Sequence, residues 1–283
     1  MTDTTSLAAD SIVYHVPLER LSAYRGRHLI VRSDNPHALV DRIGAVDLDD
    51  LAYVQLCSLP SGSEALIHWA EGLGVELVLE SPADDFARLY EYAKLLDNHP
   101  VRVLLPVEPG FEKAAKLAAS LQFAVRLQVG QPAVPLIESL AQVLDDYLHR
   151  PTVGQPIDYF HSVLLGLCHR QPISLWAIQE EDPALVRHVD AGGKERLPGK
   201  LAGADVGVRP GAFVEQWARR LRTEGAECAE CPFFAPCRGY FKWPRRDYDC
   251  AGVKTLFRTL QQAADALRAD IAAIPPAGDA SAP

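Results

Sequence analysis

The 283-residue chain predicts an α/β fold with a parallel sheet. Two observations carry that expectation. Compact apolar runs recur at His28–Arg32, Tyr53–Cys57, Val75–Leu79, Val101–Leu105 and Phe123–Gln128, their starts 22 to 26 residues apart. Between them lie stretches with helical spacing of apolar residues, Ser63–Leu73, Asp84–Leu96 and Gly110–Leu121. One strand and one helix per period is the signature of βαβ units, whose strands are buried on both faces. The runs read as too uniformly apolar for half-solvated strands. Helices are expected over Val134–Leu148 and Ile157–His169, and a sixth strand over Ile173–Ile178, giving five or six β/α units. A doubly wound open sheet remains the alternative, because periodicity does not set strand order.

Beyond the sixth unit the composition changes. Residues 180–210 are rich in Gly, Pro and charge and read as a bridge. A last helix is expected from Cys250, capped by Asp247 or Asp249, with Val253, Leu256, Phe257, Leu260, Ala264, Leu267 and Ile271 on one face. The Pro- and Ala-rich end reads as disordered. The organisation expected is a β/α domain over 1–205, a small C-terminal unit over 206–274 and a tail over 275–283.

That small unit holds Cys228, Cys231, Cys237 and Cys250, spaced C-x2-C-x5-C-x12-C; Cys57 and Cys168 are the other two cysteines. Four thiolates within one short segment can close a tetrahedral zinc site or a cubane iron–sulfur cluster. The N-terminus lacks a basic region followed by an apolar core, so no secretory leader is expected and the cytoplasm is the expected location. In that reducing compartment clustered cysteines bind metal more often than they bridge. Zinc ribbons present two close cysteine pairs, whereas here Cys237 and Cys250 stand singly. This favours one 4Fe–4S cluster, with zinc as the alternative. Phe233, Phe234, Tyr240, Phe241 and Trp243 offer an apolar shell in a chain with 8% aromatics. Arg238, Lys242, Arg245 and Arg246 offer positive charge toward an anionic cluster.

The C-x2-C-x5-C run followed by a distant cysteine resembles the SPASM region, the C-terminal auxiliary-cluster domain of radical SAM enzymes. That motif normally continues C-x3-C, where the extra cysteine serves a second auxiliary cluster; here the position is Phe241. No cysteine lies between Cys168 and Cys228 to complete a second cluster. The resemblance therefore implies one auxiliary cluster, held by Cys228, Cys231, Cys237 and Cys250. It also implies that the β/α domain is a partial (β/α)5–6 barrel of radical SAM type. The family carries C-x3-C-x2-C in the loop after its first barrel strand. The corresponding stretch, taken to follow His28–Arg32, runs Ser-Asp-Asn-Pro-His-Ala-Leu-Val and holds no cysteine. S-adenosylmethionine is accordingly not expected as a cofactor. Ser58–Glu64, after Cys57, has a faint likeness to the family's Gly-Gly-Glu turn, and reads more simply as a turn with a helix cap.

The remaining features bound the function. The net charge of −9 and the absence of a phosphate-binding glycine loop argue against nucleic acid or nucleotide triphosphates. No run approaches a membrane span. His161, Cys168 and His169 share a helix, better explained as core and surface than as a second metal site. Arg32, Asp34, Cys57, Glu80, Glu108 and Gln128 fall at the C-terminal ends of the expected strands, where parallel β/α folds bind ligands. No nucleophile–base constellation is visible. The reading is an iron–sulfur protein without radical-generating activity, an accessory partner of a radical SAM enzyme or peptide substrate in peptide or cofactor maturation. A non-radical β/α enzyme with a structural metal is the alternative.

Overall fold

The computed structural model describes residues 12–204, 209–225 and 227–273. Among these, eight strands form one sheet: β1 Val13–Pro17, β2 His28–Ser33, β3 Leu51–Leu56, β4 Gly74–Val78, β5 Val101–Pro106, β6 Ala124–Gln128, β7 Val186–Val189 and β8 Glu195–Arg196. Their order is β6-β5-β4-β3-β2-β1-β7-β8. Every pair is parallel except the β7–β8 hairpin. The α/β class holds. The tail expected over 275–283 and the N-terminal residues 1–11, where no leader is expected, lie outside the described residues.

Strands β1 to β6 follow one another in the sheet without reversal. Crossovers between parallel strands are right-handed, so a sequential order sends the connecting helices to the same face. That face is apolar: Leu29, Val31, Val54, Leu56, Val75, Leu77, Val103, Leu105, Val125 and Leu127 are buried almost without exposure. The opposite face carries the alternate residues, since side chains change face at each step along a strand. Here the expectation of uniformly apolar strands is wrong. The cross-strand row Arg32–Gln55–Glu76–Arg102 is polar throughout.

Three further expectations fail. Ile173–Ile178 is not a strand; Leu175–Ile178 is a single helical turn, closed by Ile178 N–H donating to Ser174 O at 3.0 Å. The first strand is β1, ahead of the first expected run, and it lies between β2 and β7. Ser63–Leu73 holds only a short 3-10 turn, Ser63–Leu66. Left-handed Ala70 and Gly72 follow it. The helices Phe111–Ser120, Val134–His149 and Asp158–His169 form as expected.

The β6 edge does not meet β7, and it is not left bare. Val125 N–H donates to Pro156 O, and the Gln179 side chain accepts from Val129 N–H at 2.8 Å while donating to Leu127 O at 3.0 Å. Gln179 thus stands in for a strand and blocks edge pairing. The 23-residue helix Ala251–Ala273 lies mainly against Asp158–His169, and the cysteine segment shares the hydrophobic core of the sheet.

Candidate metal centre and a buried ion cluster

The chain between Glu227 and Cys250 folds as short turns, since its glycine, prolines and close-set aromatics favour no long helix. Glu227–Glu230 and Tyr240–Lys242 are 3-10 turns, and Phe234–Cys237 is one α turn. The α turn ends with Arg238 and Gly239 both left-handed, at φ 47° and 75°. A right-handed residue followed by a left-handed one, as at Cys237 and Arg238, turns backbone N–H groups to one side as an anion-binding nest. Burial raises the Cys237 thiol, and the backbone of Phe241, Gly239 and Tyr240 opposes part of that rise. A side chain at Gly239 would sit 2.2 Å from Leu221 Cδ1, so both the conformation and the space require glycine.

All four clustered cysteines line one cavity, together with Phe233, Phe234, Phe241, Val253, Phe257, Glu227, Lys242 and Lys254. The cavity is small, about 20 Å³ in volume. Phe233 and Phe257 stack across it with centroids 5.2 Å apart. Cys228 and Cys250 are buried, Cys231 and Cys237 half-buried, and none is in a disulfide. Burial pushes the Cys228 thiol up to about 11 and the Cys250 thiol to about 12, with neighbouring cysteines adding to both. Lys242 opposes this. Its ammonium, almost wholly buried, lies 2.8 Å from Glu227 Oε2 and donates to Tyr248 O at 2.6 Å, and Lys254 pairs with the other Glu227 oxygen.

Among the described residues, no three His, Cys, Asp or Glu side chains converge on the position of a single metal ion. A mononuclear zinc needs four donors within about 2.3 Å of one point, and that arrangement is absent. A cubane binds each thiolate at a different corner and holds the sulfurs farther apart. The donor set (four thiols in an apolar enclosure with two lysines at the rim) fits an anionic cluster in its chemistry.

The surroundings differ in part from expectation. Tyr240 and Trp243 turn away from the cavity to meet Trp176, Phe213 and Trp217. Arg238 and Arg246 pair with Glu215 and Glu224, and Arg245 hydrogen-bonds Gln131, so only Lys242 of the expected cations reaches the cavity. Lys254, one turn into the last helix, is the cation that sequence reasoning missed. Asp249, not Asp247, caps that helix, accepting from Ala251 N–H at 2.9 Å. Lys200 ties the bridge to this segment: its ammonium donates to Tyr240 O at 2.7 Å and faces the Tyr240 ring. Burial pulls it down to about 7 against the nearby Glu181.

The polar sheet face holds a second centre that the sequence reading passed over. Arg102 Nε lies 2.7 Å from Glu76 Oε2, and its other nitrogens meet Asp158 at 3.1 Å and Glu180 at 3.4 Å. Arg126 pairs with Glu180 and lies 3.3 Å from Glu76. Tyr53 donates to Glu180 Oε2 at 2.9 Å, and His15 Nε2 lies 3.5 Å from the same oxygen. Burial would raise the Glu180 carboxyl, but Arg126, His15 and Arg102 outweigh it and hold it well below the usual range. His15 and His188 stack at 4.4 Å. Burial, with the charge of His15 next, lowers His188 to about 3. Because β6 and β1 are five strands apart, a flat sheet would separate them by about 24 Å. Arg126 and His15 nevertheless meet one carboxylate oxygen, so the sheet curves around this face.

Of the strand-end residues, Arg32 donates to Val189 O at 2.8 Å, and Ser58 donates to Glu80 at 3.0 Å. Cys57 follows β3, not the second strand; burial raises its thiol, and Arg32 opposes the rise. Asp34, Glu108 and Gln128 are exposed. His161 shares a 2.8 Å hydrogen bond with the Tyr147 hydroxyl, Cys168 is buried and His169 is exposed, so the three share no site. With β1 as the first strand, the loop after it is Leu18–Arg27, and it too contains no cysteine. No helix among the described residues is long and apolar enough to cross a membrane. Comparison of the chain with family models, with curated proteins and with solved structures gives no match in any of the three.

Proposed function

We propose that Cys228, Cys231, Cys237 and Cys250 hold one 4Fe–4S cluster in a SPASM-like C-terminal unit. The β/α part is then a partial barrel of radical SAM type. The unreversed order of β1 to β6, and the curvature that brings Arg126 and His15 to one carboxylate, support the barrel. The single observation carrying the cluster is the meeting of all four cysteines, and neither of the other two, at one apolar cavity. When bound, such a cluster would supply one-electron transfer or a rigid anionic staple. The protein's own part would be to exclude water with Phe233, Phe234, Phe241 and Phe257. It would also stabilise sulfur charge through the amides after Arg238 and through Lys242.

The loops after β1 and β2 offer no thiolate set for cleaving S-adenosylmethionine. The chain then acts as an accessory protein to a radical SAM enzyme, or to its peptide substrate, in peptide or cofactor maturation. Anaerobic reconstitution followed by iron and sulfide counting and Mössbauer spectroscopy tests the assignment. Four irons per chain with cubane parameters are expected; one zinc and no iron after anaerobic expression would overturn it. A second reading, a non-radical enzyme working at the sheet with a structural metal, draws on the Arg102–Arg126 centre. Those guanidinium groups already face Glu76, Glu180 and Asp158, which favours the accessory role.

A further inference from the structure

Outside the cysteine cavity, two adjoining grooves share Pro172, Ile173 and Ala235 and form one trough of about 750 and 370 Å³. Five arginines line it, Arg170, Arg219, Arg222, Arg238 and Arg268, against one carboxylate, Glu215. The chain as a whole carries a net charge of −9, so this concentration of positive charge runs against its composition. Glu215 pairs with Arg238 and lies 3.9 Å from Arg219, and Arg268 pairs with Asp265. Arg170 and Arg222 are exposed and have no ion-pair partner among the described residues. Arg222 instead lies 5.9 Å from the centre of the Phe234 ring. The floor between the arginines is apolar, built by Ile173, Ala218, Phe234 and Ala235. Phe234 also lines the cysteine cavity, so the trough and the cavity share a wall one side chain thick.

We infer that this trough docks an extended acidic segment of a partner polypeptide, with an apolar residue seated on Ile173 and Phe234. Guanidinium forks suit carboxylates, and an apolar floor between them suits alternating acidic and apolar side chains. The segment would lie directly over the cysteine site. The inference gives the accessory role proposed above its partner class, and rests on that role only for its biological meaning.

The test is fluorescence anisotropy on the full, anaerobically loaded protein, with iron measured on each sample. The probes are a fluorescein-labelled peptide of Glu, Ser and Leu, its counterpart with Lys for Glu, and a labelled oligothymidylate. The acidic peptide is expected to bind, more weakly as salt rises, while the basic one does not. Combining Arg170→Glu with Arg222→Glu should weaken the acidic peptide roughly tenfold or more with iron content unchanged. Equal binding of acidic and basic peptides, an unaltered affinity in the double variant, or equal binding of the oligothymidylate would each overturn the inference. Wild-type protein that binds the acidic peptide but holds no iron would leave the docking surface standing and remove the cluster.

Discussion

Replacing Cys228, Cys231, Cys237 or Cys250 singly by Ser is expected to strip most of the iron and to loosen the C-terminal segment, whose short turns have little regular structure of their own. Cys57→Ser and Cys168→Ser should leave iron near the wild-type level, because both lie away from the cavity. Iron per chain after parallel reconstitution measures this, and a Cys57→Ser loss as deep as that of Cys237→Ser would remove the ligand assignment. A second outcome concerns His188. Its folded-state value of about 3 lies below the ordinary 6.5, so the unfolded chain takes the proton first as pH falls. Its contribution to stability is complete above about 6.5 and is lost progressively toward 3. Glu180 acts in the same direction, but only below the ordinary carboxylate range. The fall in thermal midpoint between pH 7 and pH 5 should therefore shrink in His188→Gln; an unchanged fall would show that His188 is not the group responsible. That Cys228, Cys231, Cys237 and Cys250 meet at one place was legible from their spacing, because cysteine clustering is chemically specific. Glu76, Arg102 and Arg126 were not. Each stands within an apolar run, where average hydropathy hides a single charge.

Elements with full length and regular period were legible, and short ones were not. Strands β2 to β6 and the helix Ala251–Ala273 match their expected positions within a few residues. Strand β7 has four residues in a stretch rich in Gly, Pro and charge, and β1 is five residues ending in Pro17. Neither offers enough alternation to stand above a loop. Ile173–Ile178 has the short apolar run of a buried strand, yet Ser174 starts a helical turn there. Two substitutions probe the cysteine segment as an element. Gly239→Ala places a Cβ on Leu221 in a left-handed residue and should cost about 1–3 kcal/mol, with faster loss of iron to chelator. Asp249→Ala removes the cap on the last helix and should cost about 1 kcal/mol without changing the iron count. Denaturant midpoints and chelator kinetics read both, and chelator loss as fast in Asp249→Ala as in Gly239→Ala would show that the amide nest has no special part.

At the scale of the molecule, the proposed role makes a negative outcome informative. With S-adenosylmethionine and a strong reductant, the isolated protein should form no 5′-deoxyadenosine above a metal-free control. A cluster held by all four cysteines would leave no open corner for a substrate to chelate, and the Leu18–Arg27 and Ser33–Leu39 segments supply no second set. Multiple-turnover product that disappears in Cys237→Ser would refute the accessory reading.

The place of β1 between β2 and β7 has a consequence for synthesis. Strand β1 reaches the ribosome exit first and can pair with β2 soon after, but its other neighbour begins about 170 residues later. At roughly 5–20 residues per second, the Val13 and His15 side of that nascent edge waits some ten to thirty seconds for its permanent partner. During that interval its unpaired amides and carbonyls are a template for any other extended chain. Production of this protein is thus expected to be sensitive to elongation rate, and slower decoding between codons 36 and 180 should lower the soluble yield while leaving the finished molecule unchanged.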